Sequence, residues 1–372
     1  MTKISRTTDM TQGSEMRHII MFSLPLLAGN LLQQTYNIVD TMVVGRYLGD
    51  DALAAVGATG SITYLFYTLC IGLSVGAGII VAQYFGAGKK KALRSAVFNS
   101  ALVTAIFGIV ISLLSVPAAR PILELLKVPD KLIGDSAAYM QIACGGTIAV
   151  AAYNWINAIM RALGDSKTPL IFLGAASLLN ALLDLLFVVV FKFGIAGAAW
   201  ATVLTQALSA ISCIVYCFAV SGEIKLTADD LHTDKDMMSR CVKTGVPIAI
   251  QNGLISVSMV ALQRVTNGFG ETVMAAYTVS MRIEQLVQQP FSSLNAAVST
   301  FTGQNIGAGK EKRAQKGLAC AIKISVIFSA VVLVLFTLFA RATHMAVLLS
   351  QNSLPAHQKV QKQKLVRSAE QQ

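Results

Sequence analysis

Nine stretches of this chain are too long and too apolar to be solvated by water. A helix needs about 20 mostly apolar residues to cross roughly 30 Å of hydrocarbon. Such runs lie near 18–45, 52–84, 92–116, 136–160, 169–191, 195–220, 242–264, 272–303 and 317–340. The gaps hold turn and breaker chemistry: Gly49-Asp50-Asp51, Gly86-Ala87-Gly88, Gly164-Asp165-Ser166, Gly194 and Gly307-Ala308-Gly309. Composition agrees, because only 13% of the residues are charged and 54% are hydrophobic, whereas a soluble domain carries about a quarter charged residues. The sequence therefore predicts an all-α integral membrane protein and excludes a disordered chain or an ordinary water-soluble enzyme.

The net charge of +11 does not imply a nucleic-acid partner, since the basic residues sit in short clusters between apolar runs and not along one face. Their placement orients the chain. With the N-terminus inside, the inner segments collect Lys3, Arg6, Arg17, Lys89, Lys90, Lys91, Arg94, Arg161, Lys167, Lys225, Lys235, Arg240, Lys243, Lys310, Lys312, Arg313 and Lys316. The outer segments hold only Arg46, Arg120, Lys127, Lys131, Lys192, Arg264 and Arg341, as the positive-inside rule requires. Residues 1–17 are polar, and the apolar run after them is too long for a cleavable signal. The cysteines lie apart without a CxxC pair, so no metal site is expected, and Cys213 and Cys217 read as small buried thiols.

Self-comparison reveals a repeat. Gln83, Gly86, Ala87, Gly88 and Lys89 recur 221 residues on as Gln304, Gly307, Ala308, Gly309 and Lys310, and Pro25 recurs as Pro247. Six helices separate the copies, so both have the same topology, as in transporters whose halves are related by an axis along the membrane normal. The expected organisation is a segment at 1–17, a six-helix lobe at 18–220, an inter-lobe loop at 221–241, an incomplete second lobe at 242–352 and a polar tail at 353–372. A complete duplication would have twelve helices, and the simplest expectation is a reading frame that lacks the last three. Neither Gly-Ala-Gly-Lys loop fits the phosphate-binding pattern or follows a strand; both read as tight inner turns.

Ionisable groups within spans are costly and mark functional sites. The first span carries Asn30, Gln33, Gln34, Asn37, Asp40 and Thr41 at helical spacing, and the fifth carries Ser177, Asn180 and Asp184 on one face. Tyr139 and Thr202 fall at a similar depth in the fourth and sixth spans. Asp40 and Asp184 can then take up and release a proton, or hold a sodium ion with oxygens of Asn180 and Thr202. Hydrogen-bonded packing is the alternative use of such groups. The second half offers Gln251, Asn252 and Ser256, then Arg282, Glu284, Gln285, Gln288 and Gln289. Pro25 and Pro247 are the expected bending points of their helices.

These residues resemble the multidrug and toxic compound extrusion (MATE) family, nearest its DinF-like branch. The resemblance rests on Pro25, Gln34 and Asn37-Ile38-Val39-Asp40, on the run Arg161 to Pro169, on the paired loops and on the repeat. It implies twelve helices in two lobes around a V-shaped cavity. It also implies export of small cationic or amphipathic organic compounds in exchange for protons or sodium, with no cofactor, from the bacterial plasma membrane, by a monomer. By the same resemblance Asp40 couples protonation to release, with Tyr139, Asn180, Asp184 and Thr202 around it. Gln34, Asn37, Asn154, Asn157 and Glu284 are the expected cavity residues, and Pro25 is the bending proline. Two other readings are a non-transporting membrane fragment and a lipid-linked oligosaccharide flippase, whose cavity would carry several inward arginines.

Overall fold

The computed structural model of the chain describes residues 7–126, 128–220, 224–225, 227, 230–267, 269 and 271–352. Lys3, Arg6, Lys127 and the tail at 353–372 lie outside the described residues. Among the described residues the regular elements are helices: α1 (Glu15–Leu48), α2 (Asp50–Gly86), α3 (Lys90–Leu125), α4 (Asp130–Gly145), α5 (Thr147–Ala162), α6 (Lys167–Asp184), α7 (Gly194–Val220), α8 (Lys235–Asn267), α9 (Glu271–Gly307) and α10 (Glu311–Asn352). A π-helical turn, Leu185–Val190, continues α6.

Among the described residues, six helices are long and apolar enough to cross a membrane, and a seventh span results if α4 and α5, bent by 44° at their junction, are taken together. The bend falls at Gly145-Gly146, where a Cβ on Gly146 would collide with Val203 of α7, so the close approach of α7 explains why glycine stands there. The helices α1 and α9 run 34 and 37 residues and are not among the six. Each carries a stripe of Asn, Gln and charged residues that dilutes its apolar character.

The chain divides into two compact units, 1–321 and 322–372. In the first, α2 is central and packs on α3, α5, α8 and α9, while α1 lies against α6 and α9. The largest core cluster joins Ile80 and Val81 of α2, Leu93 and Val97 of α3, Ile156 and Ile159 of α5, and Cys213 and Cys217 of α7. Both cysteines are free and buried. Trp155 donates its Nε1–H to Ser100 Oγ at 2.9 Å within the same core, which satisfies the indole where no water reaches it. In the second unit, Val326, Ile327, Leu333 and Leu335 of α10 are exposed, a surface that hydrocarbon solvates and water does not.

The repeat is visible in the backbone. The first loop donates from Ala87 N–H to Gln83 O (2.9 Å), from Gly88 to Phe85 O (3.0 Å) and from Lys89 to Tyr84 O (3.2 Å). The second repeats these bonds from Ala308 to Gln304 O (3.0 Å), from Gly309 to Ile306 O (3.0 Å) and from Lys310 to Asn305 O (2.8 Å). Gly88 and Gly309 take φ of +67° and +71°, the left-handed region that ends helices and favours glycine. The loops are thus tight turns that cap the helices before them. The two helices they cap also cross one another reciprocally. No Cβ would fit on Gly86 against the Gln304 carbonyl, nor on Gly307 against the Gln83 carbonyl.

A chain segment seals this end of the molecule. Met10 N–H donates to Gln304 Oε1 at 2.9 Å, and Gln304 Nε2 donates to the Ala162 carbonyl at 2.9 Å. Asn305 Nδ2 donates to the Met10 carbonyl at 3.2 Å, and Lys310 Nζ to that of Thr11 at 2.9 Å. Arg313 reaches the Gln12 carbonyl at 3.0 Å and pairs with Glu15 at 3.1 Å. Residues before α1 are in this way tied to α5, α9 and α10.

Candidate functional site: a buried carboxylate pair between α1 and α6

Two local devices position the site. Asp165 caps α6: its Oδ1 accepts the N–H groups of Lys167 (3.1 Å) and Thr168 (3.0 Å), and its Oδ2 accepts the Thr168 hydroxyl at 2.6 Å. That fixes the start of the helix, so Asn180 and Asp184, one turn apart, face α1. At the other end, α6 passes into its π-helical turn immediately after Asp184. Single π turns inside α-helices occur frequently at functional sites.

On α1, Tyr36 and Asp40 are one turn apart and share the face turned to α6. The Asp40 and Asp184 side chains meet there. Tyr36 sits beside Asp40 and reaches Thr202 of α7, and Tyr139 of α4 lies near both carboxylates. Asp184 and Asn180 are fully buried. Among the described residues, Oδ1 of Asp40, both carboxylate oxygens of Asp184 and both amide atoms of Asn180 have no hydrogen-bond partner. Buried polar atoms are normally satisfied, and two adjacent carboxylates in a low dielectric are costly unless a positive charge stands between them. The arrangement is therefore chemically incomplete and fits a proton or a small hard cation. Among the described residues no cluster of three or more His, Cys, Asp or Glu suited to a metal ion occurs; the oxygens here come from two carboxylates, an amide and hydroxyls.

Of the sequence-predicted residues, Asp40, Asp184 and Tyr139 lie near one another, Thr202 joins them through Tyr36, and Asn180 stands one turn before Asp184. The proposed cavity residues are more scattered. Asn157 is buried with its Oδ1 unpartnered and lies beside Tyr153, whereas Asn154 donates to its own helix at Val150 O, 2.8 Å away. Gln34 is half-buried, and Asn37 and Glu284 are exposed. Glu284 accepts from Gln288 Nε2 at 3.1 Å along α9. Pro25 lies within a continuous α1 and Pro247 within a continuous α8; Pro290, which the sequence pattern does not single out, stands in α9. Tyr36 and Thr205 are the other omissions. Tyr36 is four residues before Asp40, a spacing that places it on the same face, and Thr205 buries an unpartnered hydroxyl one turn beyond Thr202.

The MatE family pattern matches residues 25–186 and 247–353. The Bacillus subtilis protein named "Probable multidrug resistance protein YpnP" is 31% identical over 307 residues, covering 82% of this chain and 68% of that protein. The B. subtilis protein named "Probable multidrug resistance protein YoeA" is 31% identical over 355 residues, covering 94% and 77%. A solved structure described as the outward-facing conformation of a multidrug resistance MATE family transporter superposes with a TM-score of 0.83 at 25% identity, covering 90% of this chain and 75% of that one. The match over most of the chain and the shared fold lead to one conclusion: this chain belongs to the MatE family of membrane transporters and is not an enzyme.

Proposed function

We propose that the chain is an ion-coupled multidrug exporter of the bacterial plasma membrane, working as a monomer with its N-terminus inside, in which Asp40 and Asp184 carry the coupling ion. The observation that carries this reading is the pair itself: two neighbouring carboxylates between α1 and α6, with three of their oxygens unpartnered among the described residues. A proton or a sodium ion entering the pair removes the repulsion between α1 and α6 and lets the two helices close on each other. Departure of the ion restores the repulsion and moves α1 away from α6. Pro25 gives α1 a place to flex, because its missing N–H leaves the turn before it short of one hydrogen bond. Coupling follows if the organic cargo binds where α1 stands in one of these two arrangements. Cationic and amphipathic compounds suit an acidic pocket lined by apolar helices, and the names of the relatives, multidrug resistance proteins, support that cargo.

The test is export of a cationic dye such as ethidium from a drug-sensitised host expressing the chain. Wild type should extrude the dye, and Asp40→Asn should reduce the rate at least about tenfold, as loss of a group that acts in the rate-limiting exchange does, with membrane expression unchanged. Parental rates from Asp40→Asn would remove the pair from the mechanism.

A further inference from the structure

Away from the carboxylate pair, a cavity of about 190 Å³ lies between α2, α5 and α9. Its polar lining is one-sided in charge: Arg161 from the last turn of α5, with Ser292, Asn295, Ser299 and Thr300 from α9. Among the described residues no carboxylate lines it. Thr300 is four residues before Gln304, so the cavity lies about 6 Å along α9 from the Gln304 seal at the nearest point.

The state of Arg161 is what sets this cavity apart. Among the described residues three arginines are half-buried: Arg94, Arg161 and Arg313. Arg94 reaches Asp230 at 3.5 Å and Arg313 reaches Glu15 at 3.1 Å. Arg161 makes no side-chain hydrogen bond and no ion pair among the described residues; the neutral phenol of Tyr153 lies near it. A half-buried guanidinium presents five donors in a planar fork suited to a carboxylate or phosphate, and leaving it unpaired is expensive. A purely structural arginine at a helix C-terminus would turn back on its own last carbonyls. This one opens instead on a cavity whose other polar groups are hydroxyls and an amide, all able to donate to an anion.

We infer that this cavity is a subsite for the anionic end, a carboxylate, of an amphipathic cargo molecule, with Arg161 as its counter-ion and the α9 hydroxyls as supporting donors. The volume suits a small charged group and not a whole drug, so the rest of the cargo extends into the space beyond. The inference rests on the exporter reading for the origin of its ligand and extends that reading from cations to zwitterions. It gives the molecule two binding places of opposite sign, the acidic pair on α1 and α6 and the basic subsite on α5 and α9.

A pair of dyes that differ only at the anion tests this. Rhodamine 110 carries a free carboxylate and rhodamine 123 is its methyl ester. Binding to the purified full chain in nanodiscs is read by fluorescence anisotropy, with no ion gradient imposed. Wild type should bind rhodamine 110 about tenfold more tightly than rhodamine 123, the scale of one charge-assisted hydrogen-bonded contact, and benzoate should displace only the former. Arg161→Gln should bring the two affinities together by weakening rhodamine 110 alone, and Arg161→Lys should retain part of the preference. Ser299→Leu, which fills the cavity without changing charge, should act like Arg161→Gln and gives the answer even if the arginine variant does not fold. Equal affinities for the two dyes in wild type overturn the subsite, as does a preference that survives both Arg161→Gln and Ser299→Leu. Loss of co-purifying lipid phosphate in Arg161→Gln without any dye preference in wild type also overturns it, in favour of a lipid headgroup. Export of rhodamine 123 alongside equal binding of both dyes would sink the subsite and leave the exporter reading standing.

Discussion

Gln304 holds Met10 and Ala162 at once: its Oε1 accepts the Met10 N–H, and its Nε2 donates to the Ala162 carbonyl, each at 2.9 Å. One fully buried side chain thus joins the segment before α1, the end of α5 and the end of α9. Its repeat partner Gln83 is half-buried, so the duplication is symmetric in backbone and asymmetric in burial.

That asymmetry predicts unequal costs. Gln304→Ala leaves a buried N–H and a buried carbonyl without partners, each costing about 1–3 kcal/mol, whereas Gln83→Ala should cost clearly less. Thermal unfolding of the two variants in detergent, followed by intrinsic fluorescence, checks this; equal shifts, or a larger one for Gln83→Ala, would contradict it.

The reciprocal crossing of α2 and α9 makes a second prediction. Gly86 and Gly307 each face the other copy's glutamine carbonyl with no space for a Cβ, so even alanine must push the helices apart. Gly86→Val and Gly307→Val should both abolish the monodisperse peak in size-exclusion chromatography. The same substitution at Gly57, which has nothing within 4 Å of its Cβ position, should leave a peak. A normal profile for either crossing variant would show that the helices are not this close.

Outside the membrane-spanning helices, the segment between α7 and α8 carries its own pH dependence. Asp230 accepts the Thr227 hydroxyl at 2.7 Å and its N–H at 2.9 Å, and Arg94 lies 3.5 Å away. These donors, Thr227 foremost, hold its carboxyl below the usual carboxylate range. A depressed folded-state value gives stability that is present above the ordinary carboxylate pKa, about 3.9, and is lost as pH falls through the lower folded value. Asp230→Asn should therefore unfold at lower temperature than wild type at pH 7, with the gap closing below about pH 4. A gap that is constant with pH would mean the contribution is not ionic.

Much of this architecture was legible because hydrocarbon imposes length and composition on a spanning helix, and because duplication leaves its mark at Gln83 and Gln304. Asp40, Asn180 and Asp184 stood out since acids and amides inside apolar runs have few uses. What escaped was contact between elements. The bend at Gly146 depends on Val203 from a helix distant in sequence. The pairing of Met10 with Gln304 spans nearly the whole chain and leaves no periodic signal. Pro290, Tyr36 and Thr205 are ordinary residues until their neighbours are known. Arg161 reads in the sequence as an inner-side charge, and that no carboxylate among the described residues pairs with it is apparent only when the three helices around it are in place.

The most direct test of the carboxylate pair is ion release on cargo binding. Purified chain in weakly buffered nanodiscs, loaded with sodium-22 in parallel, is mixed with ethidium while a pH indicator and filter counting follow the two ions. The account predicts that wild type releases protons or sodium in proportion to dye bound, and that Asp40→Asn and Asp184→Asn bind the dye but release neither. Dye binding by wild type with no ion released, or undiminished release from the two variants, would contradict it.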